Sequence, residues 1–425
     1  MSADTPAFKS KFLQTMQERG YIHQITHPDE LDAAAADGGI VVGYTGYDAT
    51  ASSLHVGHLI TIMMMRRLQQ AGHKPVVIVG GGTTKVGDPT DKDTQRPLLS
   101  DAQIESNIAG MKQAFSRFLT FGEGPTDAIL VDNNEWLSKL GYLQFLRDYG
   151  VHFTINRMLA FDSVKLRLDR EQPLTFLEFN YMLMQATDFL ELNRRYGCSL
   201  QMGGSDQWGN ILNGVELIRR VDQKPAYGLT TPLLATASGA KMGKTVGGAV
   251  WLNADMRSPY DYWQFWRNTE DGDVGRFMKL FTDLPLEEIA RYEALQGAEI
   301  NEAKKVLADA ATTLLHGAEA TTAAKAAATA AFEDGALSAD LPTFILSGDW
   351  KKSRSVVEIA FASQLFASRS EVRRKIAEGA VRINGVKVVD PLLNIGPDAV
   401  DSKLGTYRVE LGKKKIALVK PVEED

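Results

Sequence analysis

Residues 39–80 carry the feature that most limits the fold. Gly39-Ile-Val-Val-Gly43 is a short apolar run ending in glycine, and Pro75-Val-Val-Ile-Val-Gly80 is a second. Such runs read as buried strands. Between them, residues 57–71 (GHLITIMMMRRLQQA) spread apolar positions over a broad helical face. Strand, helix and strand at this spacing predict a right-handed crossover and a parallel sheet. Asp127-Ala-Ile-Leu-Val-Asp132 reads as a third strand. Open α/β sheets bind ligands at the carboxyl ends of their strands, where this sequence places Gly and Asp.

At 425 residues the chain has room for about three domains. From about 254 the composition turns helical. Within it, 318–331 (AEATTAAKAAATAA) is nearly all alanine, which predicts a peripheral surface helix with little to pack. Residues 334–352 read as a connector, and a compact α+β module begins at 354. There Glu371–Glu378 reads as a short helix and Ala380–Val388 as a hairpin turning at Asn384-Gly385. Residues 353–420 hold 13 Lys and Arg against 7 Asp and Glu, in a chain of net charge -6. A basic module on an acidic body fits a polyanionic partner, with phosphates the natural ligand of Arg369, Arg373, Arg374 and Lys375. No apolar run reaches the ~18 residues of a membrane helix. The N-terminal stretch lacks the apolar core of a signal peptide, and Cys198 alone can build neither an intrachain disulfide nor a structural zinc site. A cytoplasmic protein without a metal site and without membrane contact is expected.

Five segments could carry chemistry. His55-Val-Gly-His58 opens the predicted helix, where free N–H groups attract phosphate and Gly57 lets a flat ligand approach the backbone. Gly80-Gly-Gly-Thr-Thr-Lys-Val-Gly-Asp88 follows a strand, and its glycines permit close approach. Asp88 there could bind an ammonium, and Lys92 and Arg96 follow. Tyr181, Gln185 and Asp188 share one helix face among Phe, Met and Leu, so they face water or hold a polar ligand. Gln201-Met-Gly-Gly-Ser-Asp206-Gln207-Trp is again glycine-rich and polar. Finally, Lys241-Met-Gly-Lys244-Thr245 is a glycine-flanked loop that could bring two ammonium groups to a pyrophosphate. It is not a P-loop, since Ser238 stands where the first glycine belongs.

Together and in this order the segments resemble a class I aminoacyl-tRNA synthetase. HVGH is similar to the HIGH motif of that class and KMGKT to its KMSKS motif. The loop YTGYDATASSLHVGHL, the segment GDPT with Lys92 and Arg96, the helix YMLMQATDF and GGSDQWGN resemble the bacterial-type tyrosyl family. SRSEVRRKIAEGAVRINGVKV resembles the RNA-binding domain named after ribosomal protein S-four. The resemblance implies an α/β fold: a Rossmann-like, doubly wound parallel-sheet catalytic domain (1–253), a helical domain (254–340), a linker (341–354) and a small α+β RNA-binding domain (355–425).

The same resemblance assigns roles. Tyr44 and Asp188 would hold a substrate phenol, Tyr181, Gln185 and Asp88 an α-ammonium, and Gln207 the carboxylate end. Asp48, Gly57 and Asp206 would flank an adenylate. Thr50, His55 and His58 would contact ATP phosphates, and Lys92, Arg96, Lys241, Lys244 and Thr245 would close over pyrophosphate. ATP would bring its own Mg2+. The implied partners are tyrosine, ATP and tRNA, and the implied assembly is a homodimer. Gly243 and Thr245 stand where the general class motif has serines, but both lysines remain. A tryptophanyl relative, a catalytically decayed RNA-binding protein and a generic nucleotidyltransferase are the rival readings. The Tyr44/Asp188 pair argues against the first, and His55, His58, Lys241 and Lys244 argue against the second.

Overall fold

The computed structural model describes residues 8–36, 38–88, 99–239, 242, 244–245, 248–332, 341–348, 353–401, 405–412 and 415–422. The chain divides into two compact units: Met1–Lys241 with Gly272–Ala294, and Met242–Asp271 with Leu295–Asp425.

The first unit is built on a six-stranded sheet of β1 (Gln24–Ile25), β2 (Val42–Tyr47), β3 (Lys74–Val79), β4 (Ile129–Asp132), β5 (Cys198–Gly204) and β6 (Tyr227–Thr231), in the order β1-β6-β5-β2-β3-β4. All neighbours pair in parallel except the edge strand β1. The strand expected at 39–43 starts at Val42 and runs to Tyr47, because pairing with β3 continues from Val42↔Lys74 to Tyr47↔Val79. That extension matters, since it carries Tyr44 and Thr45 into the middle of the sheet.

The crossover helix runs from Val56 to Gln70, one residue from its expected start, and buries residues on almost every side, including Met63, Met64, Met65 and Leu68. Gly43 lets it lie close to the sheet, since a Cβ there would meet Leu68 Cδ2 at 2.8 Å. The core between sheet and helices gathers Val76, Ile78, Phe189, Leu190, Ile211 and Ile218. The helix Tyr181–Tyr196 ends at Gly197, whose φ of 66° suits a residue without Cβ.

In the second unit, Ser258 accepts from Asp261 N–H to cap the helix Pro259–Arg267, with proline at its first turn. It packs against the segment Ile300–Phe332, which is interrupted at Gly317 (φ 86°, ψ 167°). Asp309 accepts from Lys325 Nζ at 2.6 Å. In one straight helix those residues would stand about 24 Å apart, so Gly317 folds the second arm back on the first. The alanine-rich arm is therefore not the peripheral surface helix its composition predicts. Ala324, Ala327 and Ala328 are buried, and small side chains let the arms come close.

The C-terminal sheet orders Val386–Lys387, Val381–Ile383, Tyr407–Leu411, Lys415–Val422 and Thr343–Ser347. The expected hairpin is present, with Asn384 and Gly385 at φ 51° and 78°, the left-handed pair of a tight turn. Thr343–Ser347 lies inside the expected linker, yet it pairs in parallel with Lys415–Val422 as an edge strand of this sheet. Residues 334–340 and 349–352 of the expected connector fall outside the described residues. Arg408 and Lys415 act electrostatically on Tyr260 and Asp261, so the sheet lies close to the helix Pro259–Arg267 within the same unit.

Candidate active site

The chain passes from β2 to β3 and β4 on one side, then returns to build β5 and β6 on the other. The carboxyl ends of β2 and β5 flank this switch point, and a cleft of about 1360 Å³, its open mouth included, lies there. Tyr44 and Asp48 reach it from β2 and the loop beyond. Gln201 and Gly204 reach it from β5, and Tyr181, Gln185 and Asp188 from the helix Tyr181–Tyr196.

The deep end holds Tyr44 and Asp188. The Tyr44 hydroxyl is buried without a hydrogen-bond partner among the described residues, and its ring leans on Phe189 at 5.2 Å. Burial pushes its pKa well up, and the nearby Asp188 charge adds to this. Asp188 accepts from Trp136 Nε1 at 2.8 Å and from Asn133 Nδ2 at 2.9 Å. Burial nevertheless pushes its carboxyl up to about 7, against the pull of those two hydrogen bonds and with repulsion from Asp48 and Asp132. An unsatisfied phenol facing a carboxylate in an apolar pocket is a ready receptor for one buried hydroxyl.

The polar wall is a set of linked side chains. Asp48 Oδ1 accepts from Thr83 Oγ1 at 2.9 Å, and both Asp48 oxygens lie 3.3 Å from the Tyr181 hydroxyl. Burial and the charges of Asp48, Asp88 and Asp188 raise the Tyr181 pKa well above its usual value. Asn210 Nδ2 donates to Gln185 Oε1 at 3.0 Å, Gln185 Nε2 to Gln207 Oε1 at 3.2 Å, and Gln207 Nε2 to Asp88 Oδ2 at 3.0 Å. Aspartates and amide oxygens clustered in this way suit a cationic group such as an ammonium. Gly80 lines the cleft, and the glycines after β3 also make room for its walls: a Cβ on Gly80 would strike Asp48 and Thr83, and one on Gly81 would strike the Asp132 carboxylate.

At the mouth, His55 does not line the cleft but caps the helix Val56–Gln70, whose first turn borders it. Its Nδ1 accepts from Gly57 N–H at 3.0 Å, while His58 Nδ1 accepts from His55 N–H at 3.2 Å. The two rings stack with centroids 4.0 Å apart. Thr50, Gly57, His58 and Asp206 line this end of the cleft. A helix N-terminus with imidazoles beside it is suited to phosphate.

Eleven expected residues thus share one cleft: Tyr44, Asp48, Thr50, Gly57, His58, Asp88, Tyr181, Gln185, Asp188, Asp206 and Gln207. Lys92, Arg96 and Lys241 lie outside the described residues, and Lys244 and Thr245 are described only as backbone, in a short ladder with Gly248–Ala249. Sequence reasoning missed Asn133 and Trp136, which hold Asp188, and gave no role to Thr83 or Asn210. Among the described residues no group of three or more His, Cys, Asp or Glu could hold a metal. In the second unit, Arg369, Arg373, Arg374 and Lys375 sit on the helix Arg369–Ala377. Arg369 lies over Phe361, Lys375 pairs with Glu378 at 2.7 Å, and Arg373 and Arg374 are exposed.

The family described as tRNA synthetases class I (W and Y) matches residues 39–333. A tyrosine–tRNA ligase of Caulobacter sp. is 70% identical over 417 residues, 98% of this chain and 99% of that one. The tyrosine–tRNA ligase of Rhodospirillum rubrum is 58% identical over 97% of this chain and 98% of its own. Among solved structures, a C-terminally truncated mitochondrial tyrosyl-tRNA synthetase of Aspergillus nidulans superposes with a TM-score of 0.68 at 32% identity, covering 76% of this chain and 94% of that one.

Proposed function

The chain belongs to the class I tRNA synthetases for tryptophan and tyrosine and charges tRNA with tyrosine, and from that premise we propose how its residues divide the work. Tyr44 and Asp188 receive the phenol of tyrosine. Tyr181, Gln185 and Asp88 bind its ammonium, and Gln207 helps orient the carboxylate. The observation that carries this reading is the buried Tyr44 hydroxyl, unpartnered among the described residues, beside a carboxylate held by Asn133 and Trp136.

The tyrosine carboxylate attacks the α-phosphorus of ATP, which arrives with its Mg2+. The carboxylate is already ionised, so no protein nucleophile or general base is needed. Rate comes from position and from charge stabilisation on the departing pyrophosphate. Thr50, His55 and His58 contact phosphates at the helix N-terminus, and Lys92, Arg96, Lys241, Lys244 and Thr245 meet the pyrophosphate. Asp48, Gly57 and Asp206 flank the adenylate, with Asp206 at the ribose. The acyl group then passes to the terminal adenosine of tRNA.

Arg369, Arg373, Arg374 and Lys375 anchor tRNA through its phosphates. The enzyme acts as a homodimer, a reading supported by the large apolar side chains Tyr142, Leu143, Val151, Ile155 and Phe176, each exposed within residues 142–176. A cytoplasmic location follows from the likeness to bacterial tyrosine–tRNA ligases; no helix among the described residues is long and apolar enough to cross a membrane. The test is exchange of labelled pyrophosphate into ATP with tyrosine, tryptophan and phenylalanine in turn. Tyrosine alone should drive it at low concentration; exchange led by tryptophan would overturn the assignment of the pocket.

A further inference from the structure

The segment Gly272–Ala294 returns late in the chain to pack in the first unit, and its two ends hold two different parts of the catalytic machinery. At its start, Asp273 is 2% exposed and its Oδ2 accepts the backbone N–H of Ala237 at 2.7 Å. Arg276 reaches back from the next turn, donating to Asp273 Oδ1 at 2.6 Å and to the carbonyl oxygen of Ala235. Ala237 stands four residues before Lys241, so these contacts grip the backbone where it enters the KMGKT segment. Between lies the helix Val274–Phe281, which buries Val274, Phe277, Met278, Leu280 and Phe281.

At its far end, the carbonyl oxygen of Thr282 accepts from Arg67 at 2.6 Å, and Asp283 pairs with Arg66 and Arg67 at 2.5 Å each. Both arginines belong to the helix that His55 caps. Arg19 fastens the same turn from the N-terminal helix, donating to the carbonyl oxygens of Thr282 and Leu284 at 3.1 and 2.7 Å.

We propose that Asp273 and Arg276 are positioning residues for tyrosine activation: they fix the base of the KMGKT loop to the same short helix that holds the HVGH helix. Asp273 has the chemistry for this task. A buried carboxylate that accepts one backbone N–H and one guanidinium is satisfied only in a single geometry, and neither partner can drift without leaving it unpaired. Loop lysines that meet pyrophosphate in the transition state lose rate when their anchor shifts, whereas tyrosine, bound by β2, β5 and the helix Tyr181–Tyr196, should not feel it. The proposal rests on the role assigned above to Lys244.

The experiment is tyrosine-dependent pyrophosphate exchange by the full-length Asp273→Ala, Asp273→Asn, Arg276→Ala and Lys244→Ala proteins, with tyrosine affinity measured separately by equilibrium dialysis. Asp273→Ala should lower kcat about 10- to 100-fold, the cost of a small misplacement of reacting groups, with tyrosine affinity unchanged. Asp273→Asn keeps an oxygen for the Ala237 N–H and should recover most of the rate. Arg276, 45% exposed, can be truncated with the fold intact, so Arg276→Ala decides the matter should Asp273→Ala not fold; a several-fold loss in kcat alone is expected. Wild-type kcat in Arg276→Ala and Asp273→Ala overturns the proposal, as does loss of rate and tyrosine affinity together without rescue by asparagine. If Lys244→Ala also leaves kcat unchanged, the loop assignment has failed; if Lys244→Ala is slow while the clamp variants are not, only the clamp has.

Discussion

The indole N–H of Trp136 donates to Asp188 Oδ1 at 2.8 Å across 52 residues of sequence. With Asn133 on the other oxygen, it fixes the carboxylate that faces the Tyr44 hydroxyl. Trp136→Phe keeps the ring and removes the donor. A hydrogen bond to a charged group contributes about 1.5–3 kcal/mol, so the preference for tyrosine over phenylalanine should fall roughly 10- to 100-fold. Competing pyrophosphate exchange with the two amino acids reads this directly. An unchanged ratio would mean that Asp188 keeps its place without the indole.

Asp188 itself should govern that preference. A site built to bind a substrate hydroxyl rejects the analogue lacking it because its own polar groups are left unpaired, tyrosyl synthetases being the standing example. Asp188→Ala should therefore lose tyrosine selectivity more than it loses binding of phenylalanine. Equal loss for both amino acids would place Asp188 away from the phenol.

The same carboxylate sets a pH dependence. Burial raises it to about 7 in the folded chain, whereas an unfolded aspartate ionises near pH ~4. Between those values the folded state holds the extra proton. Stability from this group is therefore full below about pH 4 and is lost as pH rises towards about 7. Asp188→Asn removes the titration. In denaturant unfolding at pH 5 and pH 7.5, the variant should gain on wild type at the higher pH. A difference that stays constant with pH would show that Asp188 ionises normally in the fold.

These residues mark what could be read from the sequence. Tyr181, Gln185 and Asp188 are legible because helix spacing and family resemblance agree on them, whereas Tyr44, on β2, is legible from the resemblance alone. Asn133 and Trp136 are not, since they sit on and beside a four-residue helix after β4 whose sequence has no periodicity to single them out. The parallel sheet is legible from its apolar runs, but β2 reads short because it ends in Tyr-Thr-Gly-Tyr rather than in aliphatic residues. Thr343–Ser347 reads as linker because an edge strand exposing every second residue, here Thr343, Ile345 and Ser347, need not look like a core strand. The alanine-rich arm misled for the opposite reason: composition reports helix propensity, not which face a neighbouring arm will cover.

Lys244→Ala should slow adenylate formation far more than it weakens tyrosine binding. Its ammonium would meet pyrophosphate charge mainly in the transition state, and loss of such a contact costs about 2–4 kcal/mol. Single-turnover formation of tyrosyl-adenylate, with tyrosine affinity measured in parallel, separates the two. Equal losses would contradict a transition-state role.

The edge strand changes how the tRNA arm should be removed. Cutting at 353 deletes Lys415–Val422 but leaves Thr343–Ser347 behind, a strand stripped of its only ladder among the described residues and ready to pair with another chain. Cutting before 341 removes the sheet whole. The cleft residues all lie in the first unit, so the chain ending at 340 should keep tyrosine-dependent pyrophosphate exchange and lose tRNA charging at ordinary tRNA concentrations. It should also lose some stability, because the Asp261 carboxyl no longer has the Lys415 charge nearby. In the intact enzyme, tRNA binding should weaken steeply with salt, and Arg373→Ala with Arg374→Ala should reduce that slope by about two phosphate contacts while leaving tyrosine activation alone. Charging by the shortened chain at the rate of the intact one would show that this module is not the anchor. Loss of tyrosine activation would show instead that the catalytic unit depends on the C-terminal sheet, and the boundary would have to move.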